Sequence, residues 1–360
     1  MDRYERLRQI LDAHPSTAPQ ANSILEILRI LFSPEEAAVA VKMSFKLKPV
    51  SAIAQKAGLD DQTVLNILEA MADKGIVMSR SKDGEKLYGL VPLIPGVFEF
   101  PFMKSKLAPP HERLGKLWEE YHREALGSSF AGNPTPLMRV IAVDKAIPSR
   151  DQVHPYEEVV HFIEEASFIA LADCACRVSV GACDKPKEVC LIFGPAAEFL
   201  VERGFARQIN TEQGLQVLNI AEEAGLVHTS NNSADRANLI CNCCPCCCTV
   251  LRGKTQLNLP HAFEPSRFQA LIDPAICTGC AICVEERCPV KAITMVDNLA
   301  NVNTAECIGC GLCVTGCPAD AITLEERRQV PSTPATVTEM GMQVLQEKGR
   351  LDAFLKIMND

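Results

Sequence analysis

The chain has no apolar run long enough to cross a membrane. Its charged opening, Met1-Asp-Arg-Tyr-Glu-Arg-Leu-Arg, is not followed by the hydrophobic segment of a secretion leader. These two absences predict a soluble, cytoplasmic protein. Positive charge is also scarce: 36 Lys and Arg stand against 45 Asp and Glu, a formal net charge of −9, which argues against general affinity for nucleic acid. No flavin or nicotinamide fingerprint is visible, and Gly194-Pro-Ala-Ala opens a helix without the glycine spacing of a phosphate loop. The 7 histidines are scattered, so His228 and His261 read as ordinary core or surface residues. No catalytic side chain is assigned.

What the chain has in excess is cysteine, 18 in 360 residues. A reducing compartment keeps such residues as thiols unless metals take them, so they imply metal sites rather than disulfides. Eight fall in two runs, Cys277-x2-Cys280-x2-Cys283-x4-Cys288-Pro289 and Cys307-x2-Cys310-x2-Cys313-x3-Cys317-Pro318. One cubane iron–sulfur cluster needs four converging thiolates, and a tight Cys-x2-Cys-x2-Cys loop delivers three of them. Gly279, Gly309 and Gly311 suit loops in which the backbone must come close to the cluster. Two zinc sites are the plainer alternative, but zinc ribbons use paired Cys-x2-Cys knuckles and have no need for the third cysteine or the proline.

Residues 268–327 resemble the bacterial ferredoxin with two [4Fe-4S] clusters. The likeness extends to the repeated tails Cys288-Pro-Val-Lys-Ala-Ile-Thr and Cys317-Pro-Ala-Asp-Ala-Ile-Thr. In that family the last cysteine of each run crosses to the other cluster. The resemblance therefore implies the ligand sets Cys277, Cys280, Cys283 with Cys317, and Cys307, Cys310, Cys313 with Cys288. One departure stands out: four residues, Val284 to Arg287, separate the third and fourth cysteines of the first run, where the family has three. Residues 277–327 carry seven Asp or Glu against three Lys or Arg, so a redox partner with a basic docking face is expected.

Residues 20–100 read as helices followed by a hairpin. Ala21 to Phe32 holds Ile24, Leu25, Ile27, Leu28 and Leu31 at helical spacing. A short helix from Pro49 ends at Gly58, Asp60 caps a second helix over Asp61 to Lys74, and Ile76 to Tyr88 forms a hairpin with Lys82-Asp83-Gly84 at its tip. The order resembles a winged helix-turn-helix domain, which implies DNA binding through the second helix. Charge opposes that use. The helix offers Asp60, Asp61, Glu69 and Asp73 with only Lys74 as a base, and residues 1–100 hold twelve basic against thirteen acidic residues. A protein-interaction or structural use is favoured. The proline-punctuated Val91 to Phe102 is expected to pack one domain on another.

From 103 to 265, predicted helices at His111–Leu126, Tyr156–Glu165 and Glu212–Ala224 alternate with extended segments at Leu137, Phe168 and Leu226, the pattern of an α/β or α+β domain. Its ten cysteines form two groups. Cys174, Cys176, Cys183 and Cys190 lie within seventeen residues and are the expected ligands of a third cluster, with Arg177 offsetting its negative charge. The second group, Cys241-Asn-Cys243-Cys244-Pro245-Cys246-Cys247-Cys248, supplies further ligands through Cys241, Cys243, Cys244 and Cys247. If extended, Cys241 and Cys243 point one way and Cys244, Cys246 and Cys248 the other. The segment either turns at Pro245 and shares a site with the first group, or builds a fourth cluster. Dithiol exchange ranks behind both.

Residues 45–327 as a whole resemble ferredoxin-like 4Fe-4S proteins of anaerobic bacteria, on the strength of Cys174-Ala-Cys-Arg177, Phe193-Gly-Pro-Ala-Ala-Glu-Phe199 and Cys241-Asn-Cys-Cys244. The expected architecture is an α+β multidomain chain. It comprises a winged-helix-like domain (1–102), an α/β Cys-rich middle domain (103–265), a two-cluster ferredoxin domain (266–329), and a linker with a terminal helix near Val337–Met358 (330–360). The expected function is electron transfer through two [4Fe-4S] clusters and a third to a partner oxidoreductase, as a carrier or subunit more than an enzyme. The alternatives are a redox-responsive regulator binding DNA and an enzyme with a substrate-accessible cluster in the middle domain.

Overall fold

The computed structural model describes residues 2–103, 111–147, 154 and 157–359. Helices Arg3–Asp12, Asn22–Leu31 and Pro34–Ala40 open the chain, the third fixed by a capping box in which Ser33 and Glu36 bond each other's backbone. Helix Val50–Ala57 stops at Gly58, whose φ of +69° reverses the chain. Asp60 then accepts from Thr63 N at 2.9 Å to start helix Asp61–Asp73. The hairpin Val77–Lys82 with Glu85–Leu90 follows, turning at Asp83–Gly84, and Lys48–Pro49 pairs with its second strand. Phe100 packs against Phe199 and Phe205, so the proline-rich stretch does join the N-terminal layer to the middle region.

The middle region is built on a six-stranded sheet in the order Met138–Val140, Val227–Asn231, Leu239–Cys243, Glu188–Phe193, Ile169–Asp173, Arg207–Ile209. Every pairing in it is antiparallel, which corrects the α/β expectation to α+β. Alternation along the strands gives the sheet two unlike faces. Ile169, Leu171, Val189, Leu191 and Ile240 pack with Ile163, Val217 and Leu218 of helices Val159–Glu164 and Thr211–Glu223. Ala170, Ala172, Cys190, Ile192 and Cys243 face the other way, into a core continuous with the N-terminal helices. The predicted helix start at Tyr156 lies outside the described residues.

The C-terminal cysteine runs sit between two antiparallel strand pairs, Phe268–Ile272 with Ile322–Glu326 and Ile293–Val296 with Leu299–Val302. After them the expected single helix is two, Val337–Glu347 and Leu351–Asn359, because Gly349 at φ +63° ends the first and Arg350 N bonds back to Leu345 O at 2.8 Å. No helix among the described residues is long and apolar enough to cross a membrane.

Candidate metal centres

The two ferredoxin-type loops form two adjacent enclosures. One is lined by Cys277, Cys280, Cys283 and Cys317 with Ile272, Ala300 and Ile322. The other is lined by Cys288, Cys307, Cys310 and Cys313 with Ala270, Ile293 and Leu324. Each thus combines three cysteines of one run with the last cysteine of the other. Gly309 makes the second loop possible: at φ +67°, a Cβ there would stand 2.1 Å from Phe268 O and 2.2 Å from Ser266 Oγ. Backbone amides address the sulfurs, Ala292 N reaching Cys288 Sγ at 3.2 Å and Ala270 N reaching Cys307 Sγ at 3.5 Å. Burial pushes the Cys310 thiol up to about 12, so a metal-free cage holds neutral thiols there and metal binding must release the proton.

The extra residue before Cys288 is absorbed as one wide helical turn over Cys283–Arg287, in which Cys288 N bonds Cys283 O at 3.0 Å, five residues back. The insertion places Arg287 between layers: Nε donates to Leu312 O at 2.9 Å and Nη1 to Glu223 O at 3.2 Å. The two enclosures differ in exposure. Cys280 is exposed, whereas Cys310 and Cys313 are buried and Cys310 O accepts from Val143 N of the middle region at 3.0 Å.

The ten middle cysteines sort differently from the sequence grouping. Cys174, Cys176 and Cys190 join Cys241, Cys243 and Cys248 around one end of a cavity, while Cys183 joins Cys244, Cys246 and Cys247. Strand register explains the split. Cys190 and Cys241 lie on neighbouring strands, and Cys241 and Cys243 share one face of theirs. The chain then turns over Cys244–Cys247, closed by Cys248 N on Cys244 O at 3.2 Å, and Cys248 returns to the first face as the cap of helix Thr249–Thr255. Buried Cys244 and Cys247 thereby reach the opposite core.

The six-thiol group is a continuous chain of neighbours. Hydrogen bonds from Cys174 and Cys248 hold the Cys176 thiol well below its usual range, while the bond to Cys176 raises both donors. Likewise Cys190 raises Cys241, and Cys241 raises Cys243. So many adjacent buried and half-buried thiols cannot ionise together without cations among them, which is the demand a polynuclear cluster meets. Between the two groups lies Arg177, 1% exposed, with Nη1 2.9 Å from Asn242 O and 3.8 Å from Cys244 Sγ. Burial opposes its charge, but the sulfurs of Cys174, Cys244 and Cys243 outweigh burial and hold it protonated above the ordinary arginine range.

The cavity beyond the six thiols measures about 570 Å³ and was not legible in the sequence. Its walls come from distant segments: Ile94 and Pro95 of the proline-rich stretch, Leu137, Leu239, and Met340, Leu345 and Phe354 of the terminal helices. Phe354 stacks near Phe45 and His14, and Lys348 Nζ donates to Pro15 O at 3.1 Å and Ser129 O at 2.9 Å, so the terminal helices are fastened over it. Glu99 lines the cavity, accepts from Gly96 N at 2.7 Å, and is raised to about 8 by burial and by the negative charge at Cys176.

Residues 269–318 match the family described as a 4Fe-4S dicluster domain. An uncharacterized ferredoxin of Methanocaldococcus jannaschii is 44% identical over 55 residues, 15% of this chain and 33% of that protein. Hydrogenase-4 component A of Escherichia coli is 32% identical over 92 residues, 25% of this chain and 44% of that protein. One subunit of an ion-translocating oxidoreductase complex of Methanosarcina acetivorans is 44% identical over 48 residues, 13% of this chain and 18% of that protein. The chain therefore spans less than half the length of each of these relatives. No solved structure is significantly similar to it. The C-terminal part of the chain thus carries a 4Fe-4S dicluster domain of the ferredoxin kind.

Proposed function

We propose that this protein is an electron-transfer protein or subunit with an outer and an inner ferredoxin-type [4Fe-4S] cluster and a third cluster in the middle region. Cys277, Cys280, Cys283 and Cys317 would hold the outer cluster, and Cys288, Cys307, Cys310 and Cys313 the inner one. The third would be held by Cys174, Cys176, Cys190, Cys241, Cys243 and Cys248. When bound, the clusters supply one-electron transfer. The protein's own residues set the direction: exposed Cys280 opens one cage to a partner, and the bond from Val143 N to Cys310 O seats the other against the middle region. That polarity of exposure is the observation carrying the reading. The excess of seven Asp or Glu over three Lys or Arg in residues 277–327 fits a partner oxidoreductase with a basic face, and the relatives named as hydrogenase and ion-translocating complex components are consistent with such a partner.

The test is anaerobic spectroscopy of the full chain and of Cys310→Ser. A reductant should still reach the outer cluster in the variant, while reduction of the third cluster slows. Equal reduction rates of the third cluster in both proteins would refute the relay.

The cavity supports a second reading, in which the middle region carries a cluster open to a small apolar substrate. Its volume lies within the ~300–1,000 Å³ typical of small-molecule sites. Regulation through DNA is less well supported. On the winged-helix-like second helix Asp61, Gln62, Thr63 and Asn66 are exposed with no base among them, while Glu69 and Asp73 are tied to Arg203 of the middle region at 3.0 and 2.8 Å. A gel shift at physiological salt showing tight, sequence-specific binding would restore that reading.

A further inference from the structure

The four thiols on the far face of the sheet stand too close together for a cubane. Cys183 Sγ lies 3.8 Å from Cys244 Sγ and 3.9 Å from Cys247 Sγ, and Cys247 Sγ lies 3.9 Å from Cys246 Sγ. All four sulfurs fall within 4.8 Å of one another, and no other set of three or more His, Cys, Asp or Glu among the described residues converges so tightly. The eight thiols of the dicluster domain provide an internal comparison, since they bracket two enclosures without converging in this way. A four-iron core puts each thiolate on its own corner iron and spreads them apart. A single tetrahedral ion with metal–sulfur bonds of about 2.3 Å puts its sulfurs about 3.8 Å apart, which is the spacing found.

The surroundings suit a metal-bound thiolate set. Within the turn, Cys247 N–H is directed at the Cys244 sulfur and Ala182 N–H at the Cys247 sulfur. Arg177 brings a buried guanidinium whose Nη1 reaches Cys244, while Nε and Nη2 have no hydrogen-bond partner. A buried cation left with free donors costs several kcal/mol unless it faces anions, and four thiolates around a divalent ion carry a net charge of about −2. Of the sulfurs that favour its charge, Cys244 belongs to this set and Cys174 and Cys243 to the six-thiol group, so Arg177 stands between two anionic sites.

We propose that Cys183, Cys244, Cys246 and Cys247 bind one tetrahedral zinc ion as a structural site, separate from the iron–sulfur clusters and independent of the electron-transfer reading. Four protein ligands close the coordination shell, the mark of a structural rather than a catalytic zinc. The ion would tie the loop after helix Ala175–Val180, which Cys174 caps and which contains Cys176, to the turn after strand Leu239–Cys243. The tied residues Cys183 and Cys244 are 61 positions apart in the chain.

The test is metal and acid-labile sulfide analysis of the anaerobically purified full chain and of Cys183→Ser and Cys246→Ser. The expected result is loss of about one zinc per chain in the variants, with wild-type sulfide retained. Iron and sulfide lost together would overturn the proposal, as would zinc content unchanged or absent from the wild type. If neither variant folds, zinc X-ray absorption on the wild type decides: a shell of four sulfurs at about 2.3 Å without an iron neighbour supports it, and oxygen or nitrogen ligands or a zinc–iron distance refutes it.

Discussion

Gly309→Ala is the most direct test of how the inner cage is built. The residue sits at φ +67°, where a side chain costs about 1–2 kcal/mol through its clash with the following carbonyl. An added Cβ would also meet Phe268 O at 2.1 Å and Ser266 Oγ at 2.2 Å, and Ser266 Oγ already donates to Gly309 O at 2.7 Å. Relieving that overlap moves the strand that begins at Phe268, at about 1–3 kcal/mol for a forced fit in a packed site. Together the two effects come to about 2–5 kcal/mol, concentrated beside Cys307 and Cys310. Gly204→Ala is the control, because Gly204 has φ +70° with open space around it and should cost only the backbone part, about 1–2 kcal/mol. Anaerobic urea titration followed by iron–sulfur absorbance reads both variants. Gly309→Ala should lose its clusters at clearly lower urea than Gly204→Ala. Equal midpoints with full iron content would refute the close approach on which the inner cage depends.

Two further predictions concern buried charge. Glu99 has a folded pKa raised to about 8, so its contribution to stability is fully present below about 4.5 and is lost as pH rises through 8. Glu99→Gln should flatten the fall in stability between those values, and an unchanged slope in pH-dependent denaturation would contradict the buried carboxyl. Arg203 donates to Glu69, Asp73 and Ser79, joining the N-terminal layer to the middle region. Arg203→Ala should cost about 1–3 kcal/mol, discounted for the exposure of Asp73, and should loosen that junction to limited proteolysis; wild-type resistance would contradict it.

The cysteine runs are legible in the sequence because cluster chemistry fixes their spacing locally. The helices Asn22–Leu31, Val50–Ala57 and Asp61–Asp73 are legible because their apolar stripes, caps and stops, such as Asp60 before Asp61, are local too, whereas Arg3–Asp12 and Pro34–Ala40 are not read from the sequence. The grouping of the middle cysteines is not. Cys183 meets Cys244 because two loops arrive on one side of the sheet, while Cys190 and Cys241 meet through strand register on the other. Neither relation leaves a periodic trace. Cysteine at Cys241 and Cys243 also masks a strand that branched or aromatic residues would have announced. The four residues before Cys288 stand out in the sequence only as a departure from the ferredoxin pattern. Their solution as a wide turn depends on Arg287 finding Leu312 O and Glu223 O, contacts that spacing does not encode.

The proposed division of the eighteen cysteines is three iron–sulfur clusters and one separate tetrahedral ion. Quantitation of iron, acid-labile sulfide and zinc on anaerobically purified full-length protein tests this in one measurement. If the third cluster is a cubane, about twelve irons and twelve sulfides are expected with about one zinc per chain. A six-thiol cluster of higher nuclearity would raise iron and sulfide and leave zinc at one. About eight irons would mean that the middle cysteines hold no cluster, and iron–sulfur content without zinc would contradict the division of the ten middle cysteines into six and four.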